Sequence, residues 1–141
     1  MLLFCESSAL VKLLIDEPES AQIHQATERA GWIAACRITW AEAMAAMARR
    51  QRDDPTSADE IEQARQRLIK LWSSFTIVEI SQQLVEEAGR FADGFALRGY
   101  DSVQLAAAYE LHIKAQRPVI FASYDRRLNQ AAKLLQLEVL P

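Results

Sequence analysis

Four acidic residues stand where this sequence could do chemistry: Glu6, Glu42, Asp101 and Asp125. Glu6 directly follows the apolar run Leu2–Cys5, and Asp125 lies just past the apolar run Val119–Ala122, each at the start of a segment with helical periodicity. Glu42 falls in the first turn of the pattern that begins near Thr39, and Asp101 opens the pattern from Ser102 to Ile113. Two carboxylates ~5 Å apart repel by roughly 3 kcal/mol at an effective dielectric of about 20, and four of them make six such pairs. Brought together, they must take up protons or share a cation. An all-oxygen donor set suits a hard divalent ion, Mg²⁺ or Mn²⁺. The chemistry such an ion supports is activation of water beside a polarised phosphoryl oxygen.

Each acid also has a plainer reading. Asp101 and Asp125 read as N-caps, and Glu42 stands three residues after Thr39 as in a capping box. Acids in a first helical turn are in any case favoured by the macrodipole. Glu6 differs, because a Glu between an apolar strand and the apolar helix Ser8–Ile15 gains little from capping and is desolvated at a cost. His24 and His112 are isolated on helical segments and read as structural, since ligating histidines come in spaced groups. Cys5 and Cys36 sit in apolar stretches without the spacing of a zinc or redox motif; they read as core thiols suited to a reducing cytoplasm.

The elements that must position these acids follow from hydrophobic periodicity. Short apolar runs at Leu2–Cys5, Trp32–Ala35, Phe75–Ile80, Val119–Ala122 and Leu137–Leu140 alternate with amphipathic segments. That alternation predicts an α/β fold, a single three-layer domain over residues 1–141 with a central, mainly parallel five-stranded sheet flanked by helices. Ligands of such sheets collect beyond the carboxyl ends of the strands, where all four acids fall. The helix from Thr39 carries an apolar stripe of Ala41, Met44, Ala45 and Ala48 and stops at Pro55. Thr56 and Ser57 offer caps for a second helix lined by Ile61, Arg65, Leu68 and Trp72, making an antiparallel hairpin. Ser81 caps the next helix, with Leu84, Ala88, Phe91 and Phe95 on one face, and Gly99 ends it. Ser102 to Ile113 is apolar nearly all round and reads as a buried central helix, and Pro118 opens the fourth strand.

Composition agrees with one compact domain. Of 141 residues, 50% are hydrophobic and 25% charged, with Gly and Pro at four each, and no repeat or low-complexity run divides them. The N-terminal apolar stretch lacks a basic leader region and is interrupted by Glu6, which disfavours secretion and membrane insertion. The net charge of −3 argues against a nucleic-acid partner only in part, because a bound cation offsets clustered carboxylates and positive charge can be local. Arg49-Arg50-Gln51-Arg52 and Arg126-Arg127 are such local clusters.

At these residues the sequence resembles the PIN-domain ribonucleases, and more closely the VapC toxins of bacterial type II toxin–antitoxin pairs. The matching segments are Glu6-Ser7-Ser8-Ala9-Leu10-Val11-Lys12, Thr39-Trp40-Ala41-Glu42, Leu97 to Ala108 around Asp101, and Phe121 to Leu128 around Asp125. They span nearly the whole chain in the family's order. Where the family carries Asp the chain has Glu6, one methylene longer, and Gln104 stands where relatives often have His. The resemblance implies a Mg²⁺- or Mn²⁺-dependent endoribonuclease in which Glu6, Asp101 and Asp125 bind metal and Glu42 completes the acidic pocket. It further implies that Ser7 and Ser123 orient carboxylates or phosphate oxygens and that Arg126 meets the RNA backbone. The implied partners are RNA, a small cognate antitoxin and a second copy in a homodimer, with the hairpin ending near Trp72 walling the groove. Two other readings accompany it: a catalytically silent PIN-like domain that binds RNA or protein, and a metal-dependent phosphatase or flap-type nuclease on a similar sheet.

Overall fold

A computed structural model describes residues 1–141. Strands β1 (Leu2–Cys5), β2 (Trp32–Cys36), β3 (Thr76–Val78), β4 (Val119–Ala122) and β5 (Glu138–Val139) form one sheet in the order β3-β2-β1-β4-β5. Every pairing is parallel. Seven helices connect them: α1 (Ser7–Leu14), α2 (Ser20–Ala30), α3 (Thr39–Asp53), α4 (Ala58–Trp72), α5 (Gln82–Phe95), α6 (Gly99–Lys114) and α7 (Arg126–Leu134). None is long and apolar enough to cross a membrane.

The strands read as unbroken apolar runs because both faces of the sheet are covered. Successive side chains point to opposite faces. Leu2, Phe4, Ala34, Cys36 and Phe121 join one core with residues of α5, α6 and α7. Leu3, Cys5, Ala35 and Ala122 join the other with residues of α1 to α4. Phe4 and Phe121 are register partners on β1 and β4, fully buried, with ring centroids 6.0 Å apart. Each such side chain contributes roughly 1.5–3 kcal/mol by leaving water. Cys5 and Cys36 are buried free thiols, as expected, and burial pushes Cys5 up to about 12.

The layers match the sequence reading, while several local expectations change. The third and fifth strands are shorter than the runs that marked them. On α3 the buried positions are Thr39, Ala43 and Met47, in place of the stripe through Ala41, Met44, Ala45 and Ala48. So many alanines make several stripes equally apolar, and packing against α1 and α4 selects one. Ser57 holds the N-cap position of α4 but makes no side-chain cap bond, and Asp54 caps the 3-10 turn Pro55–Ser57 before it, accepting from Thr56 N. Gly99 does not end α5; it begins α6. The left-handed residue that closes α5 is Ala96, with φ 55°. Glycine is the usual occupant of that conformation, so the sequence pointed to the next one along the chain, Gly99.

The strand order puts the reversal of winding at β1, which has β2 on one side and β4 on the other. Beyond the carboxyl ends of β1 and β4, the two outgoing connections diverge and open a crevice. Glu6 leaves β1 at that point and Ser123, Tyr124 and Asp125 leave β4.

Candidate active site

Glu6 is 6% exposed and serves as the N-cap of α1, its Oε2 accepting from Ser8 N at 2.9 Å. This corrects the expectation that Glu6 gains little from capping; the longer side chain folds back over the helix start. The same oxygen accepts from Ser8 Oγ at 2.5 Å and Ser123 Oγ at 3.1 Å. Burial raises the Glu6 carboxyl above the ordinary value of 4.5, the hydrogen bonds from Ser8 and Ser123 act in the opposite direction, and Glu42 pushes it up further. Desolvation, the largest of these, wins.

Glu42 does not form a capping box with Thr39. The N-cap of α3 is Ile38, and Glu42 turns its Oε1 to Ser7 Oγ at 2.7 Å and Gln104 Nε2 at 2.6 Å. Gln104 is fully buried and donates as well to Thr39 Oγ1 at 2.8 Å and Ser7 Oγ at 3.1 Å, so α1, α3 and α6 are tied at one amide. Reversing that amide would set its oxygen against the Glu42 carboxylate, which fixes the orientation. Gln104 Oε1 is left buried without a partner.

Asp101 is the third residue of α6, whose N-cap is Arg98, so it is not the cap the sequence suggested. It is half-buried, and its carboxyl is raised by burial first, then by Asp125 and Glu42, with Arg98 acting weakly the other way. Asp125 is an N-cap as expected: Oδ1 accepts from Arg127 N at 2.9 Å and Leu128 N at 3.1 Å. Ser123 Oγ bridges the two halves of the rim, donating to Glu6 and accepting from Asp125 N at 3.0 Å.

The four acids therefore share one rim and one field: Asp101 senses Asp125 and Glu42, and Glu42 is sensed by Glu6. None of them belongs to an ion pair. As the side chains stand, no three ligating groups are close enough to hold an ion together. One oxygen each of Glu6, Glu42 and Asp125 is engaged by hydroxyl, amide or backbone donors, and the other is uncommitted. The donor set is all carboxylate oxygen, with no protein cation in an ion pair to it, and fits a hard divalent ion. His24 is exposed, and His112 lies against Tyr109 with ring centroids 6.5 Å apart; both stand outside this rim.

Sequence reasoning gave no site role to Ser8, Asn129 or Gln104, and read Thr39 only as a capping-box partner of Glu42. Asn129 Nδ2 donates to the Ser123 carbonyl at 2.8 Å. The signal for Gln104 was legible: a lone amide in an otherwise apolar helix, one turn after Asp101. Serines and threonines at helix starts carry no comparable signal, being common there as caps.

The PIN domain family model matches residues 3–134. The chain belongs to the PIN-domain family. Among curated PIN-domain relatives, it is 29% identical over 140 residues to Ribonuclease VapC45 and to Ribonuclease VapC49 of Mycobacterium tuberculosis, covering 99% of this chain and 95% of each relative. Among solved structures it is similar to VapBC2 of Rickettsia felis bound to a promoter DNA fragment, with TM-score 0.69, 14% identity, and coverage of 99% of this chain and 97% of that one. A toxin–antitoxin complex from Klebsiella pneumoniae gives TM-score 0.61 at 23% identity, over 89% and 87% of the two chains. These structures share the fold of this chain.

Proposed function

We infer that this PIN-domain chain is a ribonuclease that hydrolyses RNA phosphodiester bonds and acts as the toxin of a toxin–antitoxin pair. The observation that carries this reading is the cluster of Glu6, Glu42, Asp101 and Asp125, coupled and without cationic partners, at the switch point of the sheet. The names of the relatives, ribonucleases matched over nearly their full length, support the substrate class.

Glu6, Asp101 and Asp125 would hold Mg²⁺ or Mn²⁺, which when bound polarises the phosphoryl oxygen and lowers the pKa of an attacking water. Ser7 and Gln104 hold one oxygen of Glu42 and leave Oε2 to take a proton from that water. Ser123 keeps Glu6 and the Asp125 backbone in register, and Arg126 meets the RNA backbone at the mouth. The cognate antitoxin is a small protein whose segment lies in the groove, and the α3–α4 hairpin forms a wall of that groove and of a homodimer.

The test is cleavage of an RNA panel by the purified chain with Mn²⁺ or Mg²⁺. Asp101→Asn should lower turnover by roughly a hundredfold or more, the scale for losing a group that stabilises transition-state charge. Because Asp101 is not a cap and its charge is disfavoured in the metal-free fold, the variant should be at least as stable as the parent at neutral pH in chelator by urea unfolding. Full activity in Asp101→Asn would refute the metal-site assignment, and a parent chain that binds RNA but never cuts it would favour the silent-domain reading.

A further inference from the structure

Beside the acidic rim lies a polar cleft of about 720 Å³ whose long wall is one face of α7. Arg126, Asn129, Gln130 and Lys133 line it at the spacing i, i+3, i+4, i+7, while Leu128, Ala131 and Ala132 of the same helix are buried in the core. The short helix thus presents two cations with two amides between them. Gln22 and Tyr124 form the facing wall, locked by a hydrogen bond from the Tyr124 hydroxyl to Gln22 Oε1 at 2.8 Å. Ser123, which touches Glu6, lies at the inner end.

The charge balance of this cleft is the reverse of the chain's. Its charged lining residues are Glu19, Arg126 and Lys133. Glu19 is already paired with Lys12 at 3.6 Å, whereas Arg126 and Lys133 take part in no ion pair. A protein of net charge −3 therefore keeps two free cations on one wall, adjoining its most acidic site. Fields focused in a cleft act on a charged ligand far more than the net charge does. Seven residues of helix extend ~10 Å, the length of roughly two to three stacked nucleotides.

We propose that the α7 cleft is the subsite for the sugar–phosphate backbone of single-stranded RNA flanking the scissile bond, with Arg126 at its inner and Lys133 at its outer end. The proposal rests on the ribonuclease reading and adds to it the path the strand takes away from the acids. Contacts to phosphate position the strand without reading its bases. Gln130, between the two cations, offers donors to phosphate or ribose oxygens, while the Asn129 amide is held by the Ser123 carbonyl.

Binding is measured apart from cleavage in the full chain carrying Asp101→Asn, by fluorescence anisotropy with a labelled single-stranded oligoribonucleotide over a range of salt. Lys133→Glu should weaken binding roughly tenfold, as expected for loss of a charge-assisted contact. It should also reduce the slope of log K against log salt by about 0.7, one phosphate contact. Lys133→Gln, which removes the charge without reversing it, should give the same slope change with a smaller loss of affinity. Arg117→Glu, the same charge change at the opposite end of β4, should leave both nearly unchanged. Equal weakening by Lys133→Glu and Arg117→Glu overturns the proposal in favour of a diffuse field. Unchanged RNA binding in both Lys133 variants overturns it as well, as does a cleft that binds polyglutamate through Lys133 and not RNA. The two readings separate cleanly. Lys133-dependent RNA binding in a chain that never cleaves RNA keeps the cleft and sinks the ribonuclease, and cleavage with Lys133-independent binding does the opposite.

Discussion

Gln104 Nε2 has two hydrogens and three acceptors within reach, Glu42, Thr39 and Ser7, at 2.6, 2.8 and 3.1 Å. Ser7 donates its own proton to Glu42, so it can receive one from the amide. The result is a carboxylate whose direction is set from two helices at once. Gln104→Leu should lower stability by about 1–3 kcal/mol, the cost of leaving buried acceptors unmade, and lower kcat with little change in KM. Gln104→Glu keeps the shape but sets a second carboxyl against Glu42, and should be the more destabilising at neutral pH. Urea unfolding with steady-state kinetics checks both; a Leu variant as active as the parent would remove Gln104 from the positioning of Glu42. Buried side-chain atoms without a partner are Gln104 Oε1 and Asn129 Oδ1. Both belong to residues that steady the acidic rim, and such unpaired buried atoms are exceptions in native proteins.

Helix starts do double duty in this fold. Asp125 caps α7 through Oδ1 while its other oxygen is uncommitted, and Glu6 caps α1 in the same divided manner. Capping and charge can be separated by substitution, because Asn caps nearly as well as Asp and Ala does not. Asp125→Ala should lose about 1–2 kcal/mol of stability and most activity, whereas Asp125→Asn should lose the activity and retain the stability. Equal stability losses in the two variants, read from urea midpoints, would show that the cap is not what Asp125 contributes to the fold. The opening of α6 follows another rule. Arg98 precedes it without a side-chain cap and Asp101 sits in the first turn, where its charge meets the positive end of the helix and the other acids together.

Across the whole molecule, the acidic rim is a liability that a cation relieves. Glu6 and Asp101 both have carboxyls raised chiefly by burial. In the folded state they keep protons at a pH where the unfolded chain has released them, so ν is larger for the native state and stability falls as pH rises. Their contribution is complete below the ordinary values of 4.5 and 3.8 and is lost as pH climbs through the raised ones. In chelator, the urea midpoint should therefore drop as pH rises above the ordinary carboxyl values of 3.8 and 4.5, and Glu6→Gln should flatten the drop. Mn²⁺ at roughly a hundred times its dissociation constant should restore about 2.7 kcal/mol at neutral pH. A midpoint indifferent to both pH and Mn²⁺ would mean that these acids are not coupled in solution.

The layered parallel sheet, the strand positions and the acids' location at strand ends were legible in the sequence, because apolar periodicity and chain order are local properties that burial on both faces writes directly into the residues. The PIN resemblance was legible for the same reason, as four short motifs in order. What each acid touches was decided only in three dimensions. The bond between Gln104 and Glu42 spans 62 residues, and that between Ser123 and Glu6 spans 117. No local pattern encodes contacts of that separation. Even the cap at Glu6 and the absence of one at Asp101 went against local preference, because packing sets where a helix begins and a buried carboxylate takes whatever donors that packing provides.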